Sequence, residues 1–342
     1  MLQLQQFKSF RLSLKRILFG SLSGGIGILG LLFAGAIFVV ETLTRPKKLN
    51  SFDLYTFSPY ELGLPAEAVS FPPLHGNHKV NGYYIPCPGA TTTILVCPGF
   101  RSRMADFLGI SAHLWKAGHN VLVFEYYGHG TEVGTPVTLG YREINDFLGA
   151  VAYAKERAPQ NHLGSIGYSM GGAIAIMSSA RNTGIEALVV DSAFASHRGV
   201  VEYNFHRAFR LPSAPFAWIA DYLLWWRAGY RFHQVEPLRD IALIAPRPIL
   251  IIHGTGDSIV DPKDATLLYA AAQEPKELWL LPNADHCGAY FEDRQAYVKK
   301  VIDFFDLHLK NVGHLQLVDS TPSEQIRSGN GEDSSKNLSE AS

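Results

Sequence analysis

Residues 165–176 read SIGYSMGGAIAI: a strand-like approach, a serine set between glycines, then a run of small residues suited to a helix. Gly167, Tyr168, Ser169, Met170 and Gly171 fit the pattern G-x-S-x-G, with Gly172 following. Glycines are needed where a strand turns sharply into a helix, because side chains beside the serine would collide as the two elements pass. Such a turn lifts the serine hydroxyl out at the carboxyl edge of a sheet. Without that context the same letters describe a glycine-rich turn whose serine caps a helix.

The flanking chain supplies the context. Short apolar runs at residues 79–85, 92–97, 120–126, 163–169, 186–192, 248–254 and 277–281 read as strands. Helical patterns fall between them near residues 104–117, 140–157, 170–181, 262–273 and 292–309. This alternation predicts an α/β fold with a mostly parallel sheet and flanking helices, and the continuous Val, Ile and Leu runs fit strands buried on both faces. Residues 195–246 break the rhythm: they carry no strand but many aromatics, among them Phe205, Phe216, Trp218, Trp225, Trp226 and Tyr230. An insertion of that length predicts a helical cap over one end of the sheet. Its aromatic stripe fits helix-packing core and fits equally an acyl pocket or a lipid contact.

Ahead of the alternating region, residues 1–16 form a basic segment with Lys8, Arg11, Lys15 and Arg16, and residues 17–40 are uncharged. As a helix the uncharged run would be about 36 Å long, enough to cross a bilayer. A cleaved signal peptide is the rival, with Ala34 and Ala36 in an A-x-A pattern, but the run exceeds a usual apolar signal region. A single transmembrane anchor is therefore expected. Arg45, Lys47 and Lys48 nearly balance the basic residues before it, so the side of the membrane is not set. Residues 41–78 read as a juxtamembrane linker and the start of the domain, residues 79–310 as the domain itself, and residues 311–342 as a polar, disordered tail.

Composition removes several function classes. Lys plus Arg number 30 and Asp plus Glu 31, so no basic field points to nucleic acid. The three cysteines, Cys87, Cys97 and Cys287, are too few and too far apart for a disulfide framework, and no Cys-x-x-Cys or His-x-x-x-His pair suggests a metal. No cofactor is expected. Nothing in the sequence sets the oligomeric state.

A serine hydroxyl is a weak nucleophile at neutral pH and needs a base within reach and a group to orient that base. On a strand–turn–helix elbow the partners should follow in the order Ser, acid, His, each in a loop after a later strand. PILIIHGTGDSIVDP opens from a strand into a turn presenting Asp257, and ELWLLPNADHCGAYF opens from the next strand into a loop presenting His286. They stand 29 positions apart, room for one helix and one strand. Asp191 and Asp261 compete for the acid role; Asp257 fits best because it follows its strand at once. The oxyanion donors would be the backbone N–H groups of Met170, next to the serine, and Phe100, in the loop after the first central strand. Cys287 lacks an elbow and reads as a small packing residue. Arg101 and Arg103 read as solvated arginines ahead of a helix, with a substrate carboxylate or phosphate as their alternative partner.

Six ordered motifs, CPGFRS, NVLVFEYYGHG, GYSMGG, VVDSAF, LIIHGTGDSIV and DHCG, together resemble the α/β-hydrolase superfamily, in particular its capped serine hydrolases. The resemblance implies hydrolysis through an acyl-enzyme on Ser169, with His286 as base and then acid and Asp257 as its orienter. Two segments depart from that pattern. Cys97-Pro98-Gly99 stands where lipase-type chains often have His-Gly, and Glu125-Tyr126-Tyr127-Gly128-His129-Gly130 replaces a turn usually written Asp-x-Arg-Gly-His-Gly. His129 is read as structural. The expectation is a membrane-anchored hydrolase cleaving a carboxylic ester of an apolar, lipid-like acyl substrate. An acyl-protein or acyl-CoA thioesterase is the alternative, and a peptidase or a non-catalytic binding protein of the same fold is less favoured.

Overall fold

Eight strands form one sheet in the order β1-β2-β4-β3-β5-β6-β7-β8. The structure is a computed structural model and describes residues 25–45, 57–129, 137–210 and 213–310. The strands are β1 (Glu67–Phe71), β2 (Val80–Ile85), β3 (Thr92–Cys97), β4 (Asn120–Glu125), β5 (His162–Tyr168), β6 (Ala187–Asp191), β7 (Ile249–Gly254) and β8 (Lys276–Leu281). β2 runs antiparallel to both its neighbours, and β3 to β8 are mutually parallel. All seven expected strands are present. β1 was not expected, because its sequence EAVSF is exposed at most positions and lacks the apolar run that marks the buried strands.

Helix α1 (Gly25–Thr44) precedes the sheet. Five helices alternate with the parallel strands: α2 (Leu108–Lys116), α3 (Ile144–Arg157), α4 (Met170–Arg181), α8 (Lys263–Ala271) and α10 (Arg294–Phe305). Between β6 and β7 lie α5 (His197–Phe209), α6 (Ala214–Ala228) and the short α7 (Pro237–Asp240), and α9 (Ala289–Glu292) follows β8.

Period-two alternation sends successive strand residues to opposite faces. Ile94, Val96, Val121, Val123, Ile166 and Ile252 join α2 and α10 in one core. Leu95, Cys97, Leu122, Phe124 and Ile251 join α3, α4, the cap and α1 in the other. Both faces are covered, which is why the central strands read as unbroken apolar runs.

The cap divides its aromatics between two jobs. Phe205 stacks on Phe216 with ring centres 4.1 Å apart, and Tyr230 is fully buried against Tyr141. Each such burial contributes about 2–3 kcal/mol. Trp218, Tyr222, Trp225 and Trp226 sit on the opposite side of α6 and are exposed.

The described residues reach the expected transmembrane helix only in part, and among them no helix is long and apolar enough to cross a membrane. α1 overlaps the expected span only from Gly25, and residues 17–24 lie outside the described residues. One side of α1 packs on the domain. Ala36 and Val40 are buried in the cap-side core, and Glu41 pairs with Arg227 of α6 at 3.1 Å. The basic segment 1–16 and the polar tail 311–342 also lie outside the described residues.

Candidate active site

Parallel sheets of this kind offer a crevice at the carboxyl ends of their strands where the winding reverses. Here the reversal lies between β3 and β5, because β3 leads by α2 to β4 on one side while the chain returns by α3 to β5 on the other. The register puts Cys97 beside Gly167 and Tyr168 beside Asp191, so the ends of β3, β5 and β6 meet there. Ser169 follows β5 directly.

The elbow is as sharp as its glycines imply. Ser169 has φ 51° and ψ −115°, a conformation an L-residue adopts only at a cost of about 1–3 kcal/mol. Two contacts hold it: its N–H donates to Asp191 O at 2.8 Å, and its carbonyl accepts from Ala173 N at 3.1 Å. A Cβ on Gly167 would lie 2.5 Å from Gly171 O, and one on Gly171 would lie 2.3 Å from Cys97 O. The second clash involves the exit of β3, which packs against the first turn of α4. Ser169 sits at the N-cap position but makes no side-chain capping bond, so its hydroxyl is free for another partner.

That partner is His286. Ser169 Oγ lies 2.9 Å from His286 Nε2, and His286 Nδ1 lies 2.8 Å from Asp257 Oδ2. A carboxylate only accepts, so the imidazole proton belongs on Nδ1, and the serine hydroxyl donates to Nε2. Asp257 is fully buried, and its Oδ1 accepts the N–H groups of Ile259 and Val260, both at 2.8 Å. Burial opposes its charge, but His253, His286 and these donors prevail and hold its carboxyl well below the usual range. Burial also opposes charge on His286, while the Cys287 thiol and the Asp257 carboxylate raise its pKa well above the ordinary imidazole value. Burial pushes the Cys287 thiol itself up, leaving it neutral, so Asp257 is the partner that sustains the rise.

The rival acids are occupied elsewhere. Asp261 accepts Lys263 N at 3.0 Å in the turn before α8. Asp191 accepts from Tyr297 Oη at 2.8 Å and from Ser192 Oγ at 3.0 Å, and burial raises its pKa.

Several supporting residues escaped the sequence reading. Asp285 Oδ1 accepts His286 N and Ser258 N, joining the base loop to the acid loop. Ser192 Oγ accepts Cys287 N at 3.0 Å. His253 Nε2 lies 3.1 Å from Asp257 Oδ2, fully buried but off-line for a straight hydrogen bond. Tyr203 of α5 donates its hydroxyl to Asp257 O at 3.0 Å, and Asn204 donates to Ile259 O at 2.8 Å, so the cap braces the acid loop. Asp285, His253 and Ser192 stood inside the quoted motifs, beside His286, ahead of Asp257 and after Asp191. The others depend on contacts between segments far apart in sequence, which carry no local pattern.

The chain resembles known proteins over this same region. The sequence profile of the alpha/beta hydrolase family matches residues 94–300, which include Ser169, Asp257 and His286. The chain belongs to the alpha/beta hydrolase family. Among relatives of this hydrolase, the uncharacterized protein YqkD of Bacillus subtilis is 28% identical over 305 residues, covering 86% of this chain and 98% of the relative. The uncharacterized protein YfhR of Salmonella typhi is 30% identical over 243 residues, covering 66% of this chain and 76% of the relative. Among solved structures, the esterase Pf2001 of Pyrococcus furiosus superposes with a TM-score of 0.64 at 22% identity, over 78% of this chain and 98% of that one. A likeness at that identity speaks for the fold alone.

Opposite Ser169 lies the β3 exit loop. A Cβ on Gly99 would sit 3.5 Å from Ser169 Cβ, so the Pro98–Phe100 backbone borders the serine. Met170 begins α4, where helix geometry leaves its N–H without an intrahelical partner and the helix dipole favours negative charge. Arg101 is not the solvated side chain expected: its Nη2 donates to Thr42 O at 2.6 Å and to Arg45 O at 3.1 Å. Arg103 pairs with Asp106 at 3.2 Å. His129 is buried and packs edge-on to Phe100 with ring centres 6.0 Å apart, which fits the structural role read for it. Among the described residues no cluster of His, Cys, Asp or Glu could hold a metal.

Proposed function

We propose that this alpha/beta hydrolase cleaves carboxylic esters through an acyl-enzyme on Ser169. The observation that carries the reading is the chain of contacts Ser169 Oγ–His286 Nε2 at 2.9 Å and His286 Nδ1–Asp257 Oδ2 at 2.8 Å, on an elbow whose serine does not cap its helix. His286 takes the serine proton as Oγ attacks the acyl carbon, then delivers it to the leaving oxygen; water repeats the sequence to release the acid. Asp257 holds the ring orientation and favours the imidazolium that forms. The N–H groups of Met170 and Phe100 receive the developing oxyanion, and loss of one such donor costs about 3–4 kcal/mol of transition-state stabilisation.

The acyl group is proposed to be apolar, with the buried aromatics of the cap, which share one apolar core with Met170 and Phe100 beside Ser169, as support. An acyl-protein or acyl-CoA thioester reacts by the same steps. We also propose that residues 17–40 hold the protein at a membrane. Support comes from their lack of charge and from the exposed Phe33 and Ile37 of α1, together with the exposed Trp and Tyr residues of α6. Hydrolysis rates for paired oxygen and sulfur esters, C2 to C16, test the substrate reading. A rise in kcat/KM with chain length on oxygen esters supports it, and preference for short polar acyl groups contradicts it.

A further inference from the structure

We infer that Arg101 is a positioning residue that fastens the oxyanion loop to the end of helix α1, making the amino-terminal helix a working part of the catalytic centre. The inference rests on the reading of the Phe100 N–H as an oxyanion donor.

The local backbone argues against an arginine. Ser102 N donates to Gly99 O at 3.2 Å, closing a turn over residues 99–102, and Arg101 within it has φ 60°. Glycine takes that conformation freely, whereas a residue with a Cβ does not. A side chain at such a position needs compensating contacts, and Arg101 has three. Its Nη2 bridges the carbonyls of Thr42 and Arg45, in the last turn of α1 and just beyond it. Helix ends leave those carbonyls without intrahelical donors and concentrate partial negative charge there, so a cation suits them. The guanidinium also lies 4.9 Å from the centre of the Phe100 ring, whose edge-on packing with His129 holds it from another direction.

α1 is itself fixed to the domain. Thr44 O accepts Val137 N at 3.1 Å, Glu41 pairs with Arg227 of the cap, and Ala36 and Val40 lie in the core. An unbroken path of contacts therefore runs from cap helix α6 through α1 and Arg101 to the backbone of Phe100. Displacing α1, or removing the guanidinium, frees the turn that aims the donor.

The test uses the full chain, an ester substrate and a boronic acid, which forms a tetrahedral adduct on serine and so needs the oxyanion donors that substrate binding does not. Arg101→Ala should lower kcat about 10- to 100-fold, short of the full loss of a donor. KM should stay within about twofold, boronate affinity should fall in step with kcat, and the melting temperature should stay within about 4 °C, a shift on the order of 1 kcal/mol. Arg101→Lys, which keeps a donor but not the planar fork, should recover part of the lost rate, with kcat and boronate affinity still lowered in parallel. Wild-type kcat and boronate affinity in Arg101→Ala overturn the inference, as does a raised KM at unchanged kcat, which would mean that Arg101 meets substrate. Should Arg101→Ala not fold, Arg101→Lys with kcat and boronate affinity lowered in parallel supports the inference, and Arg101→Lys lowered in stability alone overturns it. A wild type inactive on every ester overturns the Ser169 reading itself, an outcome distinct from an active wild type matched by Arg101→Ala.

Discussion

The hydroxyl of Ser192 accepts the backbone N–H of Cys287 at 3.0 Å, tying the loop that carries His286 to the end of β6. Both residues have positive φ, 55° and 51°, so two strained turns meet at one hydrogen bond. Ser192→Ala keeps the backbone and removes the acceptor, leaving a half-buried N–H without its partner at a cost of about 1–3 kcal/mol. The expected outcome is that loss of stability by urea denaturation, with kcat down about tenfold as His286 loses its register. Unchanged values in both would mean that the loop is held by Asp285 alone.

His286 must be neutral to accept the serine proton. Its pKa is raised well above 6.5, with Asp257 sustaining the cation against burial, so activity should rise with pH through that higher value and fall away below it. The acid limb of kcat/KM should therefore lie above pH 6.5 in the wild type. Asp257→Asn removes the charge that favours imidazolium: the limb should move to lower pH while kcat drops about 10⁴-fold through the wrong tautomer. A wild-type limb at or below the ordinary value would contradict the electrostatics described here.

Gly171 allows no side chain, since a Cβ would lie 2.3 Å from Cys97 O and 2.5 Å from Pro98 O, both backbone atoms. Gly171→Ala must push the β3 exit away from the elbow, with about 1–3 kcal/mol of overpacking. Because Gly99 borders Ser169, the same displacement should cut kcat at least tenfold. Gly172→Ala, whose Cβ would meet the Ala193 side chain at 3.0 Å, should be the milder of the two. The reverse order in stability and kcat would place the tight approach at the wrong glycine.

The cap reaches the acid loop through Tyr203, whose hydroxyl donates to Asp257 O at 3.0 Å. Tyr203→Phe deletes that bond alone, and about 1 kcal/mol of stability should go with it. A melting temperature equal to wild type would show that the Tyr203 bond does not brace the loop.

What the sequence displayed and what it hid divide along physical lines. Ser169, Asp257 and His286 were legible because each follows a strand whose apolar run announces it, and the parallel sheet brings strand ends together. Asp257 was separable from Asp261 by its distance from β7, but not from Asp191 by chemistry alone; the Tyr297 and Ser192 bonds to Asp191 are tertiary. β1 was hidden because an exposed edge strand has no apolar run. The fate of residues 25–44 was hidden for the opposite reason. An apolar helix reads the same whatever covers each of its sides, and only tertiary contacts show that Ala36, Val40 and the Glu41–Arg227 pair face the domain. Arg101 looked like any surface arginine, since the carbonyls it binds lie more than fifty residues away in the chain.

The central claim, that Ser169 is the nucleophile activated by His286, is tested most directly by mass spectrometry of folded protein after exposure to a fluorophosphonate. The predicted result is one adduct per chain on the peptide bearing Ser169, absent in Ser169→Ala and slowed in Asp257→Asn. An unlabelled Ser169 in folded wild-type protein, or equal labelling of Ser169→Ala, would contradict it.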